Sequence, residues 1–249
     1  MDKKKLKVLG LYNYIKITLL HHIVEICKSI FPNFEYLVSV RVHGYKYPIW
    51  MRCGTSDYAC FHLIFIQEEF HAIHQLIDKT VDKMIDCGTN VGYTIRYLIE
   101  KHHHMSFIGI EPDESNYLMA LKNLAYYKEQ VEILNMAIWS KNTNVQVVPG
   151  NYGDGGKWAL QVLECSLDKG IEAISLNDII EPQYRYFLKM DIEGTEKIVL
   201  NENLNWTKSV SFLCVELHDN EAKEIFNSFV KKQSFNYLGL HGEMHCISK

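Results

Sequence analysis

Three absences in the sequence narrow its interpretation at the outset. Its seven cysteines contain no C-x-x-C pair, so their spacing gives no sign of a paired metal or redox motif. Its formal net charge of -4 provides no basic field of the kind that attracts a phosphate backbone. No linker and no internal repeat divides the 249 residues. We therefore expect one large domain, with or without a small extension, and no nucleic-acid partner.

The composition is that of an ordinary globular protein. An apolar fraction of 47% with 22% charged residues is enough to fill a sizeable core, so disorder is not expected. The cysteines are scattered, odd in number and mostly set in apolar runs, where free Cys behaves as a small hydrophobe. This usage favours a reducing compartment, and we predict a cytoplasmic protein.

The amino-terminal apolar run, residues 8–31, is interrupted by charged residues and is followed by no small-residue cleavage site. We therefore predict neither a membrane-spanning helix nor a signal peptide. Residues of one face repeat at helical spacing: Ile15, Leu19, His22, Ile23 and Ile26. This repeat predicts an accessory helix packed on the domain. The alternative is a basic amphipathic helix that lies on a membrane surface and makes the protein membrane-associated.

Residues 36–52 change to short β-rich pieces around His43-Gly44, which is typical of a hairpin. Apolar residues at helical spacing then predict a helix over 58–74. Asp57, just before that helix, has two interpretations. With Ser56 it would serve as an N-cap, or it would lie with Arg52 as a lid over a bound ligand. We predict that 1–75 form a helix, a hairpin and a cap helix packed on a core of 76–249.

The rest of the chain is arranged around a strand, a glycine turn and a helix at residues 81–101. The apolar strand ends at Asp86, and the turn from Gly88 to Gly92 leads into an amphipathic run. A second apolar strand closes on Glu111, about twenty positions further on. In this arrangement a carboxylate accepts hydrogen bonds from a ribose diol, so the pattern predicts a nucleoside-bearing cofactor.

The turn itself discriminates among such cofactors. It reads Asp86-x-Gly88-x-Asn90-x-Gly92 and lacks the G-x-G-x-x-G spacing of a dinucleotide site. A carboxylate before the turn would repel a pyrophosphate but can bind an amino group, directly or through water. A nucleoside that carries an amino acid, S-adenosylmethionine, fits both ends of the predicted site.

Helix and strand patterns alternate after Glu111, as in an α/β sheet. Strand-like pieces lie at 131–136, 145–148, 160–165, 186–191 and 209–215, and residues 235–247 read as a closing hairpin. A glycine-rich loop at 150–158 is explained either by turn chemistry or by contact with a substrate.

Four of the predicted strands end on acidic residues. These are Asp86, Glu111, Asp191 and Glu216. A single such residue is often a helix cap, but ligands of open α/β sheets bind at the carboxyl ends of strands, where all four would meet.

These motifs together resemble the FkbM-type methyltransferases of the class I S-adenosylmethionine-dependent fold. The resemblance is carried by Ile85-Asp86-Cys87-Gly88-Thr89-Asn90-Val91-Gly92, Ile110-Glu111-Pro112, Asn135-Met136-Ala137, Leu176-Asn177-Asp178-Ile179-Ile180 and Leu188-Lys189-Met190-Asp191-Ile192-Glu193-Gly194-Thr195-Glu196. It implies an α/β, Rossmann-like fold with a seven-stranded, mostly parallel sheet, an antiparallel carboxy-terminal hairpin and helices on both faces, here with a small amino-terminal α+β extension.

The resemblance also implies roles for individual residues. Asp86, Gly88, Asn90 and Gly92 would line the methionine and ribose part of S-adenosylmethionine. Glu111 with Pro112 would hold the ribose, Asn135 with Ala137 would border the adenine, and Asp57 would cover the methionine end.

The implied reaction is methyl transfer to a hydroxyl, commonly on a sugar or polyketide, so a small molecule or glycan is the expected acceptor. We hypothesise that Asp191, Glu193, Glu216 and His218 surround that hydroxyl and supply the base. Alternatively, Asp191 and Glu216 would hold a Mg²⁺ ion that lowers the pKa of the hydroxyl.

Two other functions remain as alternatives. One is a nicotinamide-dependent oxidoreductase, which the missing glycine fingerprint and the closing hairpin disfavour. The other is a non-catalytic scaffold that keeps the fold within a glycan-assembly complex.

Overall fold

Strands and helices alternate along most of the chain. The computed structural model describes residues 2–31, 34–149, 160–165 and 170–249, so the glycine-rich loop predicted at 150–158 lies outside the described residues. The strands are β1 (Tyr36–Val40), β2 (Ile49–Cys53), β3 (Lys83–Cys87), β4 (Ser106–Ile110), β5 (Val131–Leu134), β6 (Ala137–Trp139), β7 (Thr143–Pro149), β8 (Leu160–Cys165), β9 (Ile171–Ser175), β10 (Tyr186–Met190), β11 (Val210–Glu216), β12 (Asn236–His241) and β13 (Met244–Ser248).

Most of the helices that connect these strands are short. They are α1 (Lys3–Lys28), α2 (Asp57–Phe61), α3 (His71–Leu76), α4 (Tyr93–Ile99), α5 (Glu114–Leu124), α6 (Leu176–Ile179), α7 (Glu196–Val199) and α8 (Asn220–Lys232), with a π-helix at His62–Gln67 and 3₁₀ turns at Ala125–Tyr127 and Leu204–Lys208.

Seven strands form the central sheet in the order β12-β13-β11-β10-β3-β4-β5. The five strands from β11 to β5 run parallel, whereas β13 is antiparallel to β11 and β12 is antiparallel to β13. All five residues of β10 are buried, as expected for a central parallel strand that is covered on both faces. The predicted seven-stranded, mostly parallel sheet with an antiparallel carboxy-terminal hairpin is confirmed.

A separate four-stranded sheet was not anticipated. The strand-like pieces predicted at 145–148 and 160–165 do form strands, but they pair in a separate sheet of order β6-β9-β7-β8. Its strand β6 comes directly after β5 of the central sheet. It places Ala137 and Ile138 at the edge of a cavity at the carboxyl ends of the parallel strands, called the main cavity here. Strand propensity alone does not say which sheet a strand joins, because pairing partners are distant in the sequence.

The single helix predicted over 58–74 is wrong. The segment is divided into α2, the π-helix and α3, and the break falls at Glu68, whose φ of 58° is left-handed. Apolar spacing does not detect such a break, since residues on both sides still face the core. The π-helix directs Leu63 and Ile64 toward the main cavity, and π-helical turns often occur at functional sites.

Helix α1 packs on the domain, but through a different face from the one predicted. The helix is kinked at Gly10, and its buried side chains are Leu9, Ile17 and Val24. The apolar residues of the predicted face are instead exposed: Ile15 by 52%, Leu19 by 57%, Ile23 by 44% and Ile26 by 67%. The helix thus has two apolar faces, and the sequence pattern does not say which one the core takes. Within the described ranges, no helix is long and apolar enough to cross a bilayer.

The capping role predicted for this segment is wrong, whereas the place of Asp57 over a bound ligand stays a prediction. Ser56 makes no side-chain capping bond, and Asp57 is buried in an ion pair in which the Arg52 Nε and Nη2 atoms donate to its two carboxylate oxygens at 2.9 and 2.8 Å. Arg52 also donates to Ser115 Oγ and to Asn116 Oδ1 on α5. The pair therefore fastens the amino-terminal extension to the core.

This arrangement predicts the effect of Asp57→Ala on stability. The variant leaves the Arg52 guanidinium buried without its carboxylate, so we expect the free energy of unfolding in a denaturant titration to fall by about 3–5 kcal/mol. The matched control is Glu164→Ala, which breaks the exposed pair with Lys141 and should leave the unfolding midpoint unchanged. Equal small effects in both variants would show that the buried pair does not hold the extension.

Candidate active site

A cavity of about 480 Å³ opens at the carboxyl ends of the parallel strands. This volume lies within the roughly 300–1,000 Å³ of small-molecule and cofactor sites. The turn after β3, the end of β4 and the segments after β10 and β11 supply one side, and the π-helix region supplies the other. All four predicted catalytic residues line it: Asp191, Glu193, Glu216 and His218. Of the predicted cofactor-binding residues, Gly88, Asn90, Glu111, Pro112 and Ala137 line it.

The glycine turn brings two neighbouring strands into close contact. Gly88 has a φ of 78°, and a Cβ atom built on it would lie 1.9 Å from the backbone oxygen of Asp191. A side chain at this position is therefore excluded both by the backbone conformation and by the neighbouring strand. The backbone N–H groups of Gly88 and Thr89 both donate to Ile110 O at 3.0 Å, which ties the turn to β4.

Glu111 lies at the end of β4 with its carboxylate held by the backbone. Its oxygens accept from the N–H groups of Asn90 at 2.8 Å and Asp113 at 2.9 Å. Burial raises the pKa of Glu111 to about 7, against the lowering effect of those two hydrogen bonds. A carboxylate offers about four lone-pair sites, so two remain to receive a diol from the cavity. Asn135 lies behind this wall and donates to the backbone oxygens of Glu111 and Pro112.

Asp86 lies within the wall and does not line the cavity. Lys189, on the neighbouring strand β10, places its Nζ 3.0 Å from Asp86 Oδ1, 3.0 Å from Gly88 O and 3.5 Å from Asp191 Oδ2. Thr89 Oγ1 donates to the other Asp86 oxygen at 2.9 Å. Lys189 therefore already pairs with this carboxylate, and the contact of Asp86 with a cofactor amino group, directly or through water, stays a prediction.

Lys189 and its carboxylate neighbours shift one another's pKa values. Burial alone would lower the pKa of Lys189, but the charges of Asp86 and Asp191 outweigh it and raise that pKa above its ordinary value. Burial raises the pKa of Asp86, and Lys189 and Thr89 oppose that rise. Lys189 lines the cavity and was missed as a functional residue. Its place in a strand ending on Asp191 was the available signal.

Gly92 is also outside the cavity lining. Its φ is 81°, and a Cβ atom there would lie 2.9 Å from Leu124 Cδ1 on α5. The absence of a side chain at this position allows the turn to pack closely against α5. The predicted cofactor-binding set thus divides into residues that line the cavity and residues that support its wall, namely Asp86, Gly92 and Asn135, with Asp57 fastening the extension.

His218 lies at the centre of the four predicted catalytic residues. Its Nε2 atom is 3.2 Å from Glu193 Oε2, 3.6 Å from Glu216 Oε1 and 3.9 Å from Asp191 Oδ1. Its Nδ1 atom is 3.4 Å from Glu196 Oε1. The imidazole is therefore held between one carboxylate behind it and three in front of it.

The titration of this cluster follows from burial and mutual charge. Burial lowers the pKa of His218, but its hydrogen bond to Glu196 and the surrounding carboxylate charges outweigh that effect and raise it to about 9. Burial, followed by the charge of Asp191, raises the pKa of Glu216 to about 8 and that of Glu193 to about 7. Perturbed pKa values of this kind concentrate at functional sites.

Glu196 is a further residue that sequence reasoning missed. It is fully buried, and its two oxygens accept from the backbone N–H groups of Ile192 and Gly194, both at 2.8 Å. It therefore fixes the turn that carries Glu193 while it faces the imidazole of His218. Its position five residues after Asp191 resembled an ordinary residue in the first turn of a helix.

The cluster does not favour the Mg²⁺ ion that was considered at Asp191 and Glu216. Among the residues that the structure describes, the three side chains close enough to share an ion are Asp191, Glu193 and His218, and Mg²⁺ prefers oxygen ligands and retained waters to an imidazole. His218 also lies between Asp191 and Glu216, where its raised pKa makes it a cation at neutral pH.

Two more carboxylates complete an acidic rim that the sequence did not indicate. Glu69 follows the π-helix, Glu243 lies in the turn between β12 and β13, and both line the cavity. Burial, with the nearby charge of Glu243, raises the pKa of Glu69. These residues come from segments that are far apart in the chain, so no local pattern could have grouped them with Asp191.

The match to a known family covers the part of the chain that contains the glycine turn and the acidic strand ends. The family model for the methyltransferase FkbM domain matches residues 86–237, which is more than half of the chain. None of the curated proteins matches the sequence. Among solved structures, methyltransferase FkbM from Methylobacillus flagellatus KT is 17% identical, with a TM-score of 0.48 over 78% of this chain and 54% of that one.

Two further solved structures are similar at comparable levels. A StiE O-MT structure is 11% identical, with a TM-score of 0.44 over 73% of this chain and 55% of that one. The N-terminal domain of human METTL16 in complex with SAH is 15% identical, with a TM-score of 0.40 over 76% of this chain and 70% of that one. The chain spans about half the length of the FkbM and StiE structures.

The close contact at the glycine turn predicts the outcome of Gly88→Ala. The added methyl group overlaps the backbone of Asp191, so we expect a loss of about 3 kcal/mol or more in unfolding free energy. The matched control is Gly44→Ala, because Gly44 has a φ of 85° but no neighbouring atom within 4 Å of the new Cβ. It should lose only the about 1–2 kcal/mol of left-handed backbone strain. Thermal unfolding of both variants compares the two costs, and equal losses would contradict a steric role for Asp191.

Proposed function

The chain belongs to the methyltransferase FkbM domain family, and on this premise we propose that it transfers a methyl group from S-adenosylmethionine to a hydroxyl of a sugar or related natural product. One observation carries the proposal. A single cavity has a carboxylate with free lone pairs, Glu111, and an imidazole that lies among carboxylates, His218. The first suits a ribose diol, and the second suits removal of a proton from a hydroxyl.

The residues around the glycine turn fit the proposed cofactor. Glu111 would accept from the two ribose hydroxyls, while Gly88 allows the segment after β10 to approach the turn closely. Pro112, Ala137 and Ile138 would border the adenine ring with apolar contacts. The cofactor supplies an electrophilic methyl group when it is bound. Lys189 pairs with Asp86 and Asp191 beneath this region and so holds the wall in place. Asp191 also lines the cavity, on the side where the acceptor would bind.

We assign the role of base to His218. During methyl transfer the acceptor hydroxyl would give its proton to Nε2 of the imidazole. Glu196 faces Nδ1 at 3.4 Å and so orients the ring with Nε2 toward the cavity. The backbone bonds of Glu196 to Ile192 and Gly194 fix its own position. Such a positioned base contributes about a hundredfold to ten-thousandfold in rate.

The acidic rim supports the proposed class of acceptor. Carboxylates of Glu69, Asp191, Glu216 and Glu243 line the cavity and accept hydrogen bonds from hydroxyl groups, of which a sugar has several. The charge of Asp191, which raises the pKa values of Glu193 and Glu216, would also repel a phosphorylated or carboxylated acceptor. A neutral, hydroxyl-rich acceptor therefore fits better than an anionic one.

Cofactor binding and turnover should respond to different residues. Glu111→Gln removes charge-assisted hydrogen bonds worth about 1.5–3 kcal/mol, so we expect the Kd for S-adenosylhomocysteine in calorimetry to rise at least about tenfold. His218→Asn and Asp191→Asn should leave that Kd nearly unchanged. Thermal unfolding of each variant shows whether it is folded.

Transfer of radiolabelled methyl to a panel of neutral glycosides and their phosphorylated counterparts measures the second half of this prediction. We expect methylation of neutral acceptors, and a fall of about a hundredfold or more in His218→Asn. Normal turnover in that variant would rule out the assigned base. Absence of S-adenosylhomocysteine binding to the wild-type protein would rule out the proposed function itself.

The raised pKa of His218 predicts the pH dependence of the reaction. Only the neutral imidazole accepts a proton, and the folded-state pKa is about 9, so kcat/KM should rise from neutral pH, pass its inflection near pH 9 and level off above it. Glu193→Gln removes a negative charge 3.2 Å from Nε2, which lowers the pKa of His218 and moves the inflection toward acid. Glu181→Gln is the control, because Glu181 pairs with Lys83 at the opposite end of β3 and should leave the profile unchanged. A flat profile over this range would exclude His218 as the base.

A further inference from the structure

Helix α1 has a second apolar face that no part of the described structure covers. Beyond the kink at Gly10, the exposed apolar side chains are spaced four, four, four, three and four residues apart and form one stripe: Leu11, Ile15, Leu19, Ile23, Ile26 and Ile30. The opposite side of the same helix packs on the core through Ile17 and Val24. More than half of the large hydrophobic side chains that the structure leaves exposed fall between Leu11 and Leu37.

The apolar surface continues from the helix onto the adjoining hairpin. Leu19 also lines a groove of about 370 Å³ between α1 and the β1–β2 hairpin. Tyr36 and Leu37 of β1 line the same groove and are themselves exposed by 49% and 42%. A contiguous apolar patch of this kind on a globular protein is typical of an interaction surface.

The charge of the helix is opposite to that of the whole protein. The chain has a net charge of -4, yet α1 carries six lysines and a single acidic residue, Glu25. Lys3 and Lys7, before the kink, are exposed. Lys16 donates its Nζ to Ser39 O at 3.0 Å and so lies beside the groove. A net-positive helix with an exposed apolar stripe is complementary to an anionic lipid surface.

We propose that this face of α1, with the adjoining hairpin, docks onto an anionic phospholipid bilayer and lies in its interface. The segment from Leu11 to Lys28 is roughly 27 Å long at 1.5 Å per residue, which suits a helix parallel to the surface. A second copy of the chain is a poorer occupant, because a two-fold interface would bring two copies of the same net-positive helix together. The proposal is independent of the reaction assigned to the cavity.

Docking on this face also has a structural connection to the cavity. Lys4 Nζ donates to Gln67 O at the end of the π-helix, and Lys5 Nζ donates to Tyr58 OH on α2. The π-helix and α2 in turn contribute Leu63, Ile64 and Cys60 to the cavity wall. The elements that would face the bilayer and the elements that bound the site are thus in direct contact.

Co-sedimentation with lipid vesicles tests the proposal on the full chain. We expect the wild-type protein to bind vesicles of phosphatidylcholine with about 30% phosphatidylserine, and to bind pure phosphatidylcholine about tenfold or more weakly. Binding should weaken as salt is added, because the lysine contribution is screened. Wild-type protein that stays in the supernatant with the anionic vesicles would overturn the proposal.

Two triple variants separate the stripe from general hydrophobicity. Ile15→Gln, Leu19→Gln and Ile26→Gln together should weaken vesicle binding at least about tenfold, since each removes apolar area from the lipid contact. The matched control is Leu118→Gln, Leu163→Gln and Leu240→Gln, whose side chains are similarly exposed, by 56%, 57% and 57%, on α5, β8 and β12. It should bind as the wild type does. All six positions are exposed, so both variants should unfold at the wild-type temperature.

Charge and self-association provide the remaining measurements. Lys3→Gln with Lys7→Gln should weaken binding to the anionic vesicles while leaving binding to pure phosphatidylcholine unchanged. Light scattering reports the mass of the free protein. A wild-type dimer that the stripe variant dissociates, together with unchanged vesicle binding by that variant, would assign the face to a second copy and refute the lipid proposal.

Discussion

Lys189 joins two carboxylates from neighbouring parallel strands beneath the glycine turn, and the rest of the site depends on that arrangement. Asp86 and Asp191 lie at the ends of adjacent strands, and without a cation between them the buried charge of Asp86 would face the partly exposed charge of Asp191. Lys189 reduces that repulsion and also donates to Gly88 O. Because Gly88 has no side chain, the segment after β10 can approach the turn closely.

From this fixed edge, each wall of the cavity follows by a backbone hydrogen bond or a buried ion pair. The turn holds Glu111 through the N–H of Asn90, and Glu196 holds the segment after Asp191 through two backbone bonds. On the opposite side, the Arg52–Asp57 pair fastens the extension to α5. Polar groups that are buried and fully paired fix one geometry, which a proton-transfer site requires.

The imidazole cluster shows how one environment raises the pKa values of both carboxyl groups and an imidazole above their ordinary values. Glu193, Glu216 and His218 share a partly buried space, and their pKa values spread from about 7 to about 9. The neighbouring carboxylates favour the protonated, cationic form of His218, whereas burial and the other carboxylates disfavour the charged forms of Glu193 and Glu216. These groups therefore hold protons near neutral pH and lose them as the pH rises. The neutral imidazole, which is the form that accepts a proton, is thus reached at alkaline pH.

The sequence alone determined the alternation of strands and helices, the glycine turn and the acidic strand ends, because apolar runs, glycine turns and strand ends are local features, while the seven-stranded sheet was implied by the family resemblance. The sequence could not determine that Asp57 pairs with Arg52, that Lys189 pairs with Asp86, that Glu69 and Glu243 reach the rim, or that the four-stranded sheet forms. Each of these depends on contacts between segments that are distant in the chain. Helix α1 marks the limit most clearly: both of its apolar faces satisfy the helical period, and only packing decided which of them the core would cover.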